Sequence, residues 1–292
     1  MEEYNKILWD GIDESNSPAE KKKAKAAFQD FLLLAGVKDD MASNNRGYFR
    51  FGILAVVLSM SLSFMIAWFL FNGKDLPSWQ EVSTRPGEST QVVLADNTVV
   101  TLNGNSTIVY PSGFSGRCRQ IYFTGEGYFE VQADAKHPFD IITNDAQIRV
   151  YGTKFNLKSY SDDNVLSVGL DEGNVQFVGD AGVADKVVVE MVPGDNISYN
   201  KGTGVLEKEY SPEGSGLWRK GQYYFKNEPL MDIARDMERI FGVRVLIEKE
   251  ELLNTHYYMA LVNGETVDDF IRILSMDKSI KVSKTDNTII IK

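Results

Sequence analysis

The sequence predicts a multi-domain membrane protein. Its parts are a short α-helical N-terminal segment, one transmembrane helix, an all-β sandwich or solenoid-like domain, and a small C-terminal α+β domain of the split βαβ type. Three observations predict this. Residues Phe51 to Phe71 form 21 consecutive positions without a charge. From Glu81 onward, short runs of β-formers are punctuated by Gly, Asn and Asp. After Ser211-Pro212-Glu213-Gly214-Ser215-Gly216, a linker by composition, apolar residues return to a helical spacing. The predicted organisation is a cytoplasmic helical segment at 1–50, a transmembrane helix at 51–71, a β-rich domain at 79–210 and an α+β domain at 217–292.

In the first fifty residues, Ser17 suits a helix cap, Pro18 the first helical position and Glu20 a capping box, with Gly36 as the stop. Ala24, Phe28, Phe31, Leu32 and Ala35 share one face, opposite Lys22, Lys25 and Gln29. Ahead of it, Tyr4, Ile7 and Leu8 suggest a shorter helix ending near Gly11. Fifty residues rarely make an independent core. The segment fits a small helical hairpin, a helix lying on the inner membrane face, or an amphipathic helix that folds into a partner's groove.

A helix of 21 residues would rise roughly 31 Å, close to the hydrocarbon thickness of a bilayer. Ser59, Ser61 and Ser63 are tolerable there, because a helical serine bonds back to a carbonyl one turn earlier. A cleaved signal peptide has a shorter leader and a small-residue cleavage site, and neither is present. Arg46 and Arg50 precede the run while Lys74 and Asp75 follow it. The expected orientation therefore has the N-terminus inside and residues 73–292 outside.

Those 220 residues carry 23 Lys/Arg against 32 Asp/Glu, a poor composition for wrapping nucleic acid. Strands are expected near 91–94, 99–102, 106–110, 119–124, 127–133, 139–143, 146–151, 154–160, 165–170, 174–178, 186–191, 196–199 and 204–206. The Gly125-x-Gly127 pair reads as a tight turn between two of them. Beyond the linker, Gly221–Asn227 reads as a strand and Glu228–Gly242 as a helix with Leu230, Ile233, Met237 and Ile240 on one face. Two strands, a helix with Val267, Phe270, Ile271 and Leu274 inward, and a hairpin turning at Asp286-Asn287 complete the domain. Its strand edge could accept a partner strand.

One cysteine, Cys118, excludes an internal disulfide and a cysteine metal cage. His137 and His256 stand in no metal-ligand spacing. No cofactor, metal or conventional active site is expected.

Leu102-Asn103, Gly125-Glu126-Gly127-Tyr128-Phe129-Glu130-Val131, Pro138-Phe139 and Gly152-Thr153-Lys154-Phe155 resemble the motifs of the FecR family of membrane-anchored sigma-factor regulators. The family's Leu-Pro-Asp-Gly element is represented by Leu94-Ala95-Asp96-Asn97. Residues 217–245 look like the C-terminal domain common in the Bacteroidetes branch, which is similar to the short secretin/TonB signalling fold.

The resemblance implies an anti-sigma factor at the bacterial inner membrane, N-terminus cytoplasmic and C-terminal domains periplasmic. Its partners would be an extracytoplasmic-function sigma factor and the signalling domain of a TonB-dependent outer-membrane receptor. The inner contact residues would be Tyr4, Leu8, Trp9, Phe28, Phe31 and Leu32. In some members the Gly-Thr bond resembles a self-cleavage site, which would be Gly152-Thr153 here; the other reading is a β-turn before a strand. Two further functions fit less well. An envelope structural or adhesion protein would have an inert cytoplasmic stub. A polysaccharide enzyme would need a carboxylate pair that the sequence does not place.

Overall fold

Strand β5 (Arg119–Glu130) explains most of the architecture. In the computed structural model, which describes residues 56–68, 77–179, 187–211 and 213–292 and helical positions 19, 22, 23, 26, 27 and 30, it belongs to two halves of one sheet. Residues 119–122 pair in parallel with β6 (Phe139–Ile142), and residues 122–124 pair with β4 (Thr107–Pro111). Residues 125–130 pair with β8 (Lys154–Ser159), and residues 127–130 with β3 (Val99–Leu102). The handover falls at Gly125, whose φ of +112° is a bend that a side chain would resist. A Cβ there would also stand 2.3 Å from Ser106 Oγ. Gly125-x-Gly127, expected as a turn between strands, is thus the bend inside one twelve-residue strand.

The remaining strands extend both halves. They are β1 (Trp79–Ser83), β2 (Thr90–Val93), β7 (Ala146–Val150), β9 (Val165–Glu172), β10 (Val175–Gly179), β11 (Val187–Met191), β12 (Asp195–Asn200) and β13 (Leu206–Tyr210). They form a 13-stranded sheet with the main path β11-β10-β7-β6-β5-β8-β9-β12-β13, curled like a barrel around its apolar face. The expected sandwich or solenoid is corrected to this continuous sheet, because β5 passes from one half to the other without ending. The core follows the period-2 alternation: Phe155 and Leu157 of β8 and Phe129 of β5 are fully buried. Phe129 stacks on Phe155 at 5.2 Å and meets Phe123 edge-on at 5.2 Å.

The C-terminal module runs β14 (Tyr223–Pro229), α1 (Leu230–Phe241), β15 (Arg244–Ile247), α2 (Glu250–Leu253), β16 (His256–Leu261), α3 (Val267–Leu274), β17 (Val282–Thr285) and β18 (Thr288–Ile291). Leu230, Ile233 and Met237 of α1 are fully buried, and α1 ends at Gly242. Helix α3 starts on a capping box between Thr266 and Asp269. In this α+β module, expected as one of the split βαβ type, the strands form two small sheets, β14-β16 and β15-β18-β17.

The transmembrane helix expected over 51–71, and with it a membrane contact through one helix, is also corrected. The run is described as helix over 56–68, and among the described residues no helix is long and apolar enough to cross a membrane. Thirteen residues rise about 20 Å, against a hydrocarbon layer of about 30 Å. Within this helix Ser59, Ser61 and Ser63 do bond back to Val56, Leu58 and Ser59 carbonyls at 2.7–2.9 Å.

Candidate functional site

Residues Leu76–Lys292 form one unit, and its most concentrated chemistry lies where the β body meets α1. The turn after β3 presents Asn103, whose Nδ2 donates to Glu126 Oε2 at 2.8 Å while its backbone N–H donates to the Glu126 carbonyl at 2.8 Å. Asn156 of β8 donates to the other carboxylate oxygen of Glu126 at 2.9 Å. Two residues along the same face, Lys158 Nζ donates to both carboxylate oxygens of Asp236 on α1, at 2.9 and 2.7 Å.

Arg239, one turn further along α1, has only 5% of its side chain exposed. It grips Asp163 bidentately at 2.8 and 2.8 Å, Asp162 at 2.7 Å and its own helix's Asp236 at 3.1 Å. Its guanidinium lies 3.7 Å over the Tyr160 ring, and Tyr160 Oη donates to the Gly104 carbonyl at 2.7 Å. Backbone completes the contact: the Gly87 N–H donates to the Arg239 carbonyl at 2.7 Å. A Cβ on Gly104 would stand 2.3 Å from that same carbonyl oxygen, so only glycine fits this approach.

The connection between the modules is fastened to the β body. Ser215 N–H donates to Asp171 at 2.7 Å, and Trp218 Nε1 donates to Asn156 Oδ1 at 2.8 Å. Arg219 covers the Tyr128 ring at 3.3 Å. The stretch expected as a flexible linker is therefore bonded down at its C-terminal end. A cavity of 270 Å³ remains between the modules, with Glu126, Lys158, Glu228, Asp236 and Trp218 in its wall.

The electrostatics follow from burial and neighbours. Burial pushes the Glu126 carboxyl up, against the opposing pull of Lys158 and its two amide donors. Burial works against the Lys158 ammonium, but the carboxylates of Asp236, Glu126 and Asp163 outweigh it and raise its pKa. The same balance, set by Asp163, Asp236 and Asp162, raises that of Arg239. Glu228 is pushed up to about 7 by burial, reinforced by Asp236 and Asp232 and opposed by Lys158. These groups pair charges; no nucleophile is set beside a base among them. Among the described residues no cluster of His, Cys, Asp or Glu is placed to hold a metal ion.

Of the residues singled out by sequence, Tyr4, Leu8, Trp9, Phe28, Phe31 and Leu32 lie outside the described residues. Gly152 has φ +145°, and Thr153 is buried, with its hydroxyl donating to the Asn174 carbonyl at 2.9 Å and its own carbonyl accepting from Val131 N–H at 2.9 Å. Asn103 and Glu126, both in the quoted motifs, are brought together. Lys158, Asp163, Trp218, Asp236 and Arg239 were missed as a group. The one local signal was the i,i+3 spacing of Asp236 and Arg239, which reads equally well as a solvated helix face.

Among curated proteins none matches this chain. Two family models do: "FecR protein" over residues 80–176 and "FecR, C-terminal" over residues 222–291. Two crystal structures of a protein from Parabacteroides distasonis ATCC 8503, provisionally described as an anti-sigma factor, share the fold with TM-scores of 0.67 and 0.68. Each is 25% identical in sequence over 73% of this chain and 98% of that one. The first family model supplies Asn103, Glu126 and Lys158 to the junction, and the second supplies Asp236 and Arg239. The chain belongs to the FecR family, a regulatory rather than enzymatic one, and its role is that of an anti-sigma regulator.

Proposed function

We propose that this regulator holds an extracytoplasmic-function sigma factor through residues 1–50, using Tyr4, Leu8, Trp9, Phe28, Phe31 and Leu32 as the contact face. Its folded body, Leu76–Lys292, would receive a signal from the signalling domain of a TonB-dependent outer-membrane receptor. The observation that carries this reading is the pairing of both FecR family domains on one chain, joined through a built junction. The same reading places the folded body in the periplasm of a bacterial cell, supported by the family resemblance.

Affinity purification of the tagged full chain from its host, with bound proteins identified by mass spectrometry, tests the inner contact. A sigma factor is expected with the intact chain, and its recovery should drop at least tenfold for Phe28→Asp with Phe31→Asp. Recovery of no sigma factor, or recovery that does not depend on residues 1–50, would overturn the reading.

A further inference from the structure

The two modules of Leu76–Lys292 share no core residue. The apolar cluster of the β body runs from Val92 to Tyr199, and that of the C-terminal module from Phe225 to Ile291. Between them lies the polar cavity, and the side-chain contacts by which α1 closes it are charged. An intrachain interface of that kind leaves relative motion as the default unless something specific holds it.

The holding contacts are few. Arg239 reaches from α1 to Asp162 and Asp163, Asp236 reaches from α1 to Lys158, and the Gly87 N–H caps the Arg239 carbonyl. We infer that these contacts form a latch: the C-terminal module docks on the β body and leaves it as a unit, without either core opening. Resting on the anti-sigma reading, the opening is also the step by which an event at the C-terminal module reaches the rest of the chain.

Two features suit the contacts to reversible opening. Neither cation is orphaned when they part. Arg239 keeps Asp236, its i,i+3 partner at 3.1 Å, and Lys158 keeps Glu126, its cross-strand neighbour on β5, on its own side. A buried ion pair is costly to break when one partner is deleted, but separation returns all the charges to water together. The pivot is also identifiable. The turn Leu217–Lys220 stays with the β body through Trp218 and Arg219, and the next residue, Gly221, has φ +70° and open space around it before β14 begins.

Spectroscopic distance measurement on the full chain tests the latch. One spin label goes on Cys118, the chain's single cysteine, and one on a cysteine introduced by Tyr258→Cys, a position 77% exposed on β16. The otherwise unaltered chain should give one narrow distance and one thermal transition. Asp162→Asn with Asp163→Asn should add a longer distance, raising the open-to-closed ratio roughly a hundredfold, the scale expected for breaking a buried pair. The same variant should melt in two separate transitions. Arg239→Lys should fall between the two. A double variant that unfolds altogether, or keeps one distance and one transition, overturns the latch. These readouts need no sigma factor, so a failed sigma capture leaves the latch standing and a failed latch leaves the anti-sigma reading standing.

Discussion

Glu228 sits near the end of β14, just before α1, with its carboxyl in the cavity wall, facing Lys158 from β8 and Asp232 and Asp236 from α1. Its proton is held to about 7 in the folded chain, against an ordinary value of 4.5. Between those two pH values the folded chain keeps a proton that the unfolded chain has released. Stability therefore falls as pH climbs from about 4.5 to about 7 and is flat, for this group, on either side. Glu126 and Asp232, also raised chiefly by burial, act in the same direction. Asp134 acts oppositely but at lower pH: His137 and backbone donors hold it near 2, well below this window. Thermal denaturation at pH 5 and 7.5 should show the melting temperature dropping by several degrees, a scale set by the size of the unit. Glu228→Gln should remove part of that drop. An unchanged slope in the variant would mean that Glu228 is ionised in the folded chain.

At the scale of elements, β5 is where local chemistry decides topology. Its N-terminal half pairs with β4 and β6 and its C-terminal half with β3 and β8, with Gly125 at the bend. Gly125→Ala brings a Cβ to within 2.5 Å of the Ser106 backbone at a dihedral that alanine resists. A loss of about 2–5 kcal/mol is expected from strain and overlap together, measured by denaturant titration. A loss below about 1 kcal/mol would mean that the bend does not depend on glycine. Strands such as β3 and β8 were legible because buried and half-exposed residues alternate along them. Strand β1 was not, since four of its five residues are exposed and no inward period marks it. Asn97 shows a subtler legibility: at φ +66° it does the work of the glycine in the family's turn, as asparagine can. The charged junction left almost no sequence signal. Arg239 meets Asp162 and Asp163 across 77 and 76 residues, and only the fold brings them together.

For the whole molecule, the two separate apolar clusters make a claim that neither residue nor element can. If each cluster is a complete core, the β body should survive loss of everything beyond Ser211. Its own cluster ends at Tyr199, with Leu206 of β13 packed against it. Cutting there removes Trp218 from Asn156, and Asp236 and Arg239 from Lys158, Asp162 and Asp163. Those freed groups are polar, and once the covering module is gone they face water instead of an apolar void, so their loss of partners costs little. A chain ending at Ser211 should therefore keep its β-type circular dichroism and one cooperative melt, a few degrees below that of the full chain. A molten product would show that α1 belongs to the β body's core, and that the polar junction is a seam within one domain, not a boundary between two.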